Sequence, residues 1–237
     1  PHTVIASNAV HQSATTVTMD ATKSITLVLE TTNTVQNLNT YEWFPAIQGA
    51  IDDTDTLDGH TIKVYNGTYY ENVVVDKSIT LLGENKETTI IDGCGVDDVI
   101  RIVVDWVNIS GFAITNSKVG IEVQGNHTHI QNNKIYENEC RGIYLHTSTR
   151  NTINTNNISK NIDEGIFLYE SCNNTITNNG DFGISLIAST ENTITNNKNR
   201  SSKKTSRNLP LFLNTFSTHS HSPKQIKCSQ TEKTFKC

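Results

Sequence analysis

Four short phrases carry the side chains best placed for chemistry: GIEV at 120, GIYL at 142, GIFL at 165 and GISL at 183. In an extended strand alternate residues face opposite ways, so the isoleucine and the last aliphatic point inward while the residues between and after them point out. The first outward row is Glu122, Tyr144, Phe167 and Ser185, and the second is Gln124, His146, Tyr169 and Ile187. Apolar ring faces suit the C–H faces of sugars, and His146, Tyr169 and the flanking Glu122 and Glu170 offer partners for hydroxyls. The competing reading is a stacking ladder that only stabilises the strands.

Other polar pairs offer less. Arg141 and Glu164 hold equivalent positions one repeat apart and are expected to form a surface ion pair worth little. Asp163 and Asp181 share the preceding position, as a paired-carboxylate hydrolytic site or a calcium site would need, although stacked surface acids are commoner. In NHTH, His127 and His129 project to one side of a strand, and two ligands do not make a metal site; His219 and His221 repeat that spacing. Five cysteines, at 94, 140, 172, 228 and 237, show no metal-like spacing, and their odd number speaks against a complete disulfide framework.

The elements that position these residues follow from a period. Ile130, Ile153, Ile176 and Ile194 head successive repeats, with Ile135 and Ile158 five residues after the first two, and Ile109 and Ile114 continue the frame upstream. Repeats of this length signal a solenoid. Each holds short β-branched runs with no room for a helix, so the unit is a coil of strands and tight turns, stacked on the next coil at about 4.8 Å. Some seven coils over residues 61–198 would make a rod roughly 30 Å long. The interval is 23 residues from NTINTN at 151 to NTITNN at 174 but 18 to the NTITNN at 192. The short interval lacks an equivalent of ISKNI, residues 158–162, which predicts a pinched last coil without most of one side strand.

Asparagine is the commonest polar residue of the turns. Asn133, Asn156, Asn179 and Asn197 lie three residues after their isoleucines, and Asn138 and Asn161 share a second position. Asn tolerates a left-handed backbone, and stacked amides bond from coil to coil, so these read as turn ladders. Six N-x-S/T sequons, at Asn66, Asn108, Asn126, Asn157, Asn173 and Asn199, are about what 28 asparagines give by chance.

A solenoid must close its ends. WFPAIQGAID, residues 43–52, puts Trp43, Ile47, Ala50 and Ile51 at helical spacing and predicts a short capping helix before the coils that begin in HTIKVYNGTYYENVVVDKSITLLGENKETTIIDG, residues 60–93. This entry segment, followed by the NTITNN and GIxL repeats, resembles the right-handed parallel β-helix superfamily of pectin-lyase-like proteins. It is most similar to the carbohydrate-binding and sugar-hydrolase type, including NosD-type periplasmic proteins and methanogen surface proteins. The resemblance covers residues 43–198. It implies an all-β, right-handed single-stranded parallel β-helix with an N-terminal capping helix. GTYYEN at 67–72 matches the early GxYxE signature of pectin methylesterases, but the later GxxDFxFG and LGRPW stretches, the lyase arginine motif and the polygalacturonase aspartate motifs are missing. No complete catalytic motif is therefore present.

Residues 15–30, TTVTMDATKSITLVLE, resemble the closing strands of an extracellular β-repeat module, which assigns 1–30 to the remnant of such a module and 31–42 to a polar linker. Residues 199–237 carry eight Lys/Arg against one acid, leaving 11 basic and 23 acidic side chains in residues 1–198. The body is thus about −12 and the tail about +7. The tail has no repeat, and its polar, basic composition predicts disorder, with Leu209, Leu211, Phe212 and Leu213 as a makeshift lid over the last coil. A nucleic-acid arm would need aromatic interleaving that is lacking. The abrupt change also fits an out-of-frame gene end, which an intact frame in relatives would disprove. No window approaches 18 apolar residues, so no membrane span is expected. The chain opens on Pro1 without Met, as expected where an upstream leader or anchor is missing.

These readings predict an exported or cell-surface β-helix scaffold, periplasmic in a Gram-negative cell, that contacts polysaccharide through its aromatic face. The alternatives are a carbohydrate-active enzyme, lyase or glycoside hydrolase, of the same fold and a NosD-type copper-maturation accessory binding through His127, His129 or His146. No resident cofactor is expected, calcium and copper being the two ions considered. An uncapped C-terminal end would favour end-to-end self-association.

Overall fold

The computed structural model describes residues 34–180 and 183–198, together with the backbone of short strands at His2–Ser7, Gln12–Val17 and Thr215–Ser217. The Leu209–Leu213 lid, His219 and His221, Asp181 and most of the expected upstream module and basic tail lie outside the described residues.

Three parallel sheets run along a solenoid. The first contains Val73–Val75, Ile100–Ile102, Val119–Val123, Arg141–His146, Ile166–Tyr169 and Ile184–Ile187. The second is built on Thr61–Val64, Thr80–Gly83, Asn108–Ser110, His129–Gln131, Thr152–Asn154, Thr175–Thr177 and Thr193–Thr195, with Thr215–Ser217 paired parallel to the last. The third holds Gly67–Tyr70, Thr89–Asp92, Ala113–Thr115, Lys134–Tyr136 and Asn157–Ser159. The isoleucine spacing is the register itself: Ile109 pairs with Ile130, Ile130 with Ile153, Ile153 with Ile176 and Ile176 with Ile194. Ile114, Ile135 and Ile158 align in the third sheet. All of these are buried in one core that runs the length of the rod, each stabilising it by roughly 1.5–3 kcal/mol.

The glycine of GIxL is required by close approach. A Cβ on Gly142 would sit 2.6 Å from the Gly165 carbonyl oxygen and 2.8 Å from Asn161 Nδ2, where the coil corners touch.

The asparagine ladder is continuous and buried. Asn133 donates its N–H and Nδ2 to Asn156 Oδ1 (3.0 and 3.2 Å), Asn156 does the same to Asn179, and Asn179 to Asn197. Each Nδ2 also reaches the carbonyl of an isoleucine on the preceding coil, as Asn156 does to Ile130 at 2.9 Å. The left-handed residue of this turn is not the ladder asparagine but the one before it: Asn132, Thr155, Asn178 and Asn196 have φ of 52–56°. The outward residue takes the strained backbone and the inward asparagine supplies the bonds. A further ladder of Asn151, Asn174 and Asn192 links the corners before the second sheet, the N–H groups of Asn151 and Asn174 bonding the next Oδ1, while the buried Asn151 Nδ2 has no hydrogen-bond partner among the described residues.

The capping helix is Ile47–Asp52, with Ile47, Ala50 and Ile51 buried. Trp43 is not on it but on the edge strand Trp43–Phe44, 45% exposed. Glu71 of GTYYEN accepts the N–H groups of Ile47 and Gln48, each at 2.9 Å, so this signature ties the cap to the first coil. Val35–Asn37 pairs antiparallel with both Thr61–Val64 and Trp43–Phe44. The stretch expected as a linker therefore contributes a strand that closes the second sheet, because its alternation Val35–Gln36–Asn37 buries two residues while Asn37 bonds Thr56 and His60.

The last coil is pinched as predicted. Among the described residues the third sheet ends at Asn157–Ser159, and the Gly180 N–H turns back to the Asn156 carbonyl at 2.7 Å before Ile184–Ile187 begins. The ladder passes the 18-residue interval unbroken.

Candidate functional site

Pleating places Val74, Arg101, Glu122, Tyr144, Phe167 and Ser185 in one row on the outer face of the first sheet. His146, Tyr169 and Ile187 form the next. The rings are in contact: Tyr144 lies 5.3 Å from His146 at 10° and 5.4 Å from Phe167 at 36°, and His146 is 5.8 Å from Tyr169 at 60°. These are the cross-strand distances at which aromatic pairs attract.

The strip is not uniformly open. The expected Arg141–Glu164 pair forms, Nε to Oε2 at 3.1 Å. Its guanidinium also lies 4.2 Å from the Phe167 centroid and 5.1 Å from that of Tyr144, the distance of a cation–π contact. Phe167 and Tyr169 are 6% and 8% exposed. Of the aromatic positions, Tyr144 and His146 are the ones a ligand can reach, with Glu122 beside them and Glu170 at the far strand end in a left-handed turn, φ 49°.

At the upstream end the strip becomes polar. The carboxylate of Glu122 lies 3.5 Å from Arg101 Nε and 3.7 Å from His146 Nδ1, and accepts from Gln124 Nε2 at 3.3 Å. Asp98 hydrogen bonds the same carboxylate, and burial, that bond and the negative charge of Glu122 push its acid up to about 7, against Lys118. Burial likewise pushes the Tyr144 phenol up to about 12, partly opposed by Arg141, so it stays a neutral donor at physiological pH. Two carboxyl groups, a guanidinium, an imidazole and a phenol thus converge within one end of the row. Together they can donate to and accept from hydroxyl groups, and Asp98 can hold or release a proton near neutrality.

Asp98 and Arg101 carry no repeat signature, because VIRIV, residues 99–103, lacks the glycine of GIxL. The alternation of Ile100 and Ile102, in register with Ile121 and Val123, is the signal that finds Arg101, whereas Asp98, in the turn before the strand, has no such signal.

The histidines do not converge. His127 is stacked on Trp106, His129 is exposed on the second sheet, and His146 faces Glu122 on the first. Among the described residues, one group of three possible metal ligands comes together, Glu42, Asp53 and Asp55, exposed acids near the capping helix. The side chains present therefore do not fit a copper centre built on the three histidines. Among the described residues no helix is long and apolar enough to cross a membrane, and Cys94 is a free, exposed thiol.

A family model described as periplasmic copper-binding protein (NosD) matches residues 4–227. A cell surface glycoprotein of Methanothermus fervidus is 42% identical over 91 residues, covering 38% of this chain and 15% of its own length. The chain thus spans a small part of that relative. Among solved structures, an alginate lyase from Paenibacillus sp. strain FPU-7 superposes with a TM-score of 0.55 at 17% identity, over 64% of this chain and 62% of that one. A pectin methylesterase in complex with a hexasaccharide gives 0.50 at 15% identity, over 70% and 65%. A Geobacillus virus E2 protein gives 0.50 at 15%, over 68% and 40%. Identities this low establish the pectin-lyase-like β-helix fold and say nothing of shared chemistry.

Proposed function

The chain belongs to the family described as periplasmic copper-binding protein (NosD), and on that footing we propose that it is a β-helix module of an exported or cell-surface protein that contacts polysaccharide through the upstream end of its aromatic strip. The surface assignment is supported by the 42% identity to a cell surface glycoprotein. The polysaccharide contact is carried by one observation: Tyr144 and His146, stacked and partly open, stand directly beside the Glu122–Arg101 pair. A sugar ring laid on Tyr144 has hydroxyl partners on both sides. Phe167, Tyr169 and Glu170 act behind them, the two rings packing against Tyr144 and His146 at a tilt and Glu170 adding an acid at the far end.

A glycan array tests this with wild type, Tyr144→Ala and Phe167→Ala. Loss of signal in Tyr144→Ala supports the contact; equal signal in wild type and both variants returns the strip to a purely structural role.

A second reading, a carbohydrate-active enzyme, is favoured by the proximity of Asp98, Glu122 and Arg101. Asp98, its acid raised by burial to about 7, stands beside a second carboxyl group as a candidate general acid. Release of reducing ends or unsaturated products from a glycan panel, abolished by Asp98→Asn, would establish it; an inert panel removes it.

A further inference from the structure

Both tryptophans of the chain lie at the surface. Trp43 leans on Tyr65, with centroids 5.3 Å apart at 22°. Trp106 is held quite differently. It occupies the corner between the first and second sheets in a left-handed conformation, φ 64°, a position filled on later coils by His127, Arg150, Asn173 and Glu191 at φ 55–58°. That backbone costs a bulky residue about 1–3 kcal/mol, and a turn alone needs nothing larger than the asparagine used at 173.

The ring is rigidly presented. The His127 imidazole lies parallel to one indole face, with centroids 4.0 Å apart and planes 4° apart, closer than the coil spacing of about 4.8 Å. Gly125 makes this approach possible, since any Cβ there would run into the Val104 carbonyl of the corner before it. Asp105, next to Trp106, is pinned from both sides. Its carboxylate accepts the N–H and side-chain amide of Asn126 at 2.8 and 3.0 Å, and its carbonyl accepts the Ser78 hydroxyl at 2.8 Å. With one face against His127, the 61% exposure of Trp106 belongs to the opposite face and the outer edge. On that side the preceding coil offers the small Ser78, whose N–H is held by the exposed carboxylate of Asp58 at 2.8 Å.

We propose that the open face of Trp106 is a binding site for a neutral hexopyranose unit of a glycan. The sugar's C–H face stacks on the indole while its hydroxyls donate to the carboxylates of Asp58 and Asp105. The ring is already ordered, so stacking costs little side-chain entropy. A neutral sugar is favoured over a uronate because both flanking groups are acids and residues 1–198 carry 23 acidic against 11 basic side chains. This inference rests on the polysaccharide reading and adds a contact at the corner, distinct from the sheet face.

In Trp43→Phe the sole indole is Trp106, so its emission during titration with cellohexaose reports this site, with hexagalacturonate as the acidic control. A saturable change with cellohexaose and none with hexagalacturonate is expected. By calorimetry, Trp106→Ala should weaken cellohexaose binding about tenfold with an unchanged unfolding temperature, and Trp106→Tyr, which keeps a ring, should recover part of it. Saturable cellohexaose binding that leaves Trp106 emission unchanged and survives in Trp106→Ala overturns the corner site while the polysaccharide reading stands. A response to hexagalacturonate equal to that for cellohexaose overturns the neutral-sugar assignment. Failure of every glycan on the array to bind wild type removes the polysaccharide reading itself.

Discussion

Asp98, in the turn that leads into the strand Ile100–Ile102, shares a hydrogen bond with the carboxylate of Glu122 on the next coil, and the bond holds only while one of the two keeps a proton. Arg101 Nε and His146 Nδ1 lie 3.5 and 3.7 Å from the Glu122 carboxylate, and burial raises the Asp98 acid, so the shared proton is held on Asp98.

Stability should therefore fall as pH rises through the range of this group. Asp98 is pushed from 3.8 to about 7 in the folded chain. A folded-state value above the unfolded one stabilises fully below pH of about 4 and is lost as pH climbs through about 7. Solvent reaches the pair, so the loss is on the order of 1 kcal/mol rather than the full value of the shift. Thermal unfolding followed by circular dichroism at pH 5 and pH 8 measures it. Asp98→Asn, permanently neutral, should flatten the dependence and unfold later than wild type at pH 8; an identical pH profile in the variant would show that the pair does not share a proton.

The long-range order of the molecule was legible in the sequence where one residue type must repeat at one register. Ile130, Ile153 and Ile176 could only be inward neighbours, and the missing ISKNI segment could only shorten a side strand. Chemistry was legible only where it shared that register. Glu122, Tyr144, His146 and Phe167 were found because they follow a recognisable GIxL phrase, and Arg101 was not because its coil lacks the glycine. What no spacing reveals is where a long side chain lies down. Arg141 reaches across Phe167 through a choice of rotamers, and that choice narrows the open strip to Tyr144 and His146. The left-handed residue was misplaced by one position for a related reason. Asparagine suits both the strained backbone and the amide ladder, and composition alone cannot separate the two roles within NN.

Removing one rung tests the ladder. Asn156→Ala deprives the Asn133 N–H and amide of their acceptor and the Ile130 carbonyl of a donor, all in the buried interior. Leaving such groups unpaired should cost about 3 kcal/mol in urea unfolding. Asn197→Ala should cost roughly 1 kcal/mol less because the bonds its Oδ1 accepts from Asn179 are only part-buried. Equal, small losses at both positions would mean that the amides are solvated and the ladder contributes no cooperativity.

The pinched coil makes a sharper demand, because it implies that a side strand is dispensable at the end of the third sheet and nowhere else. Deleting residues 158–162 turns a 23-residue coil into a second 18-residue one. Asn157–Ser159 is the last strand of its sheet among the described residues, so the deletion leaves that sheet one strand shorter with no gap. The losses are local: buried Ile158, the Asn138–Asn161 bonds and the exposed Lys160–Glu137 pair. They should amount to about 3–5 kcal/mol, mostly from the isoleucine. Deleting residues 135–139 shortens the preceding coil by the same five residues but removes a strand paired on both sides, to Ala113–Thr115 and Asn157–Ser159. That opens the core between two intact coils. The first deletion should give a cooperatively unfolding β protein with a lowered urea midpoint, and the second a chain with no cooperative transition. If both fold equally well, the side strands are interchangeable ornaments on the Asn and isoleucine columns; if neither folds, the 18-residue interval is tolerated only where nature placed it.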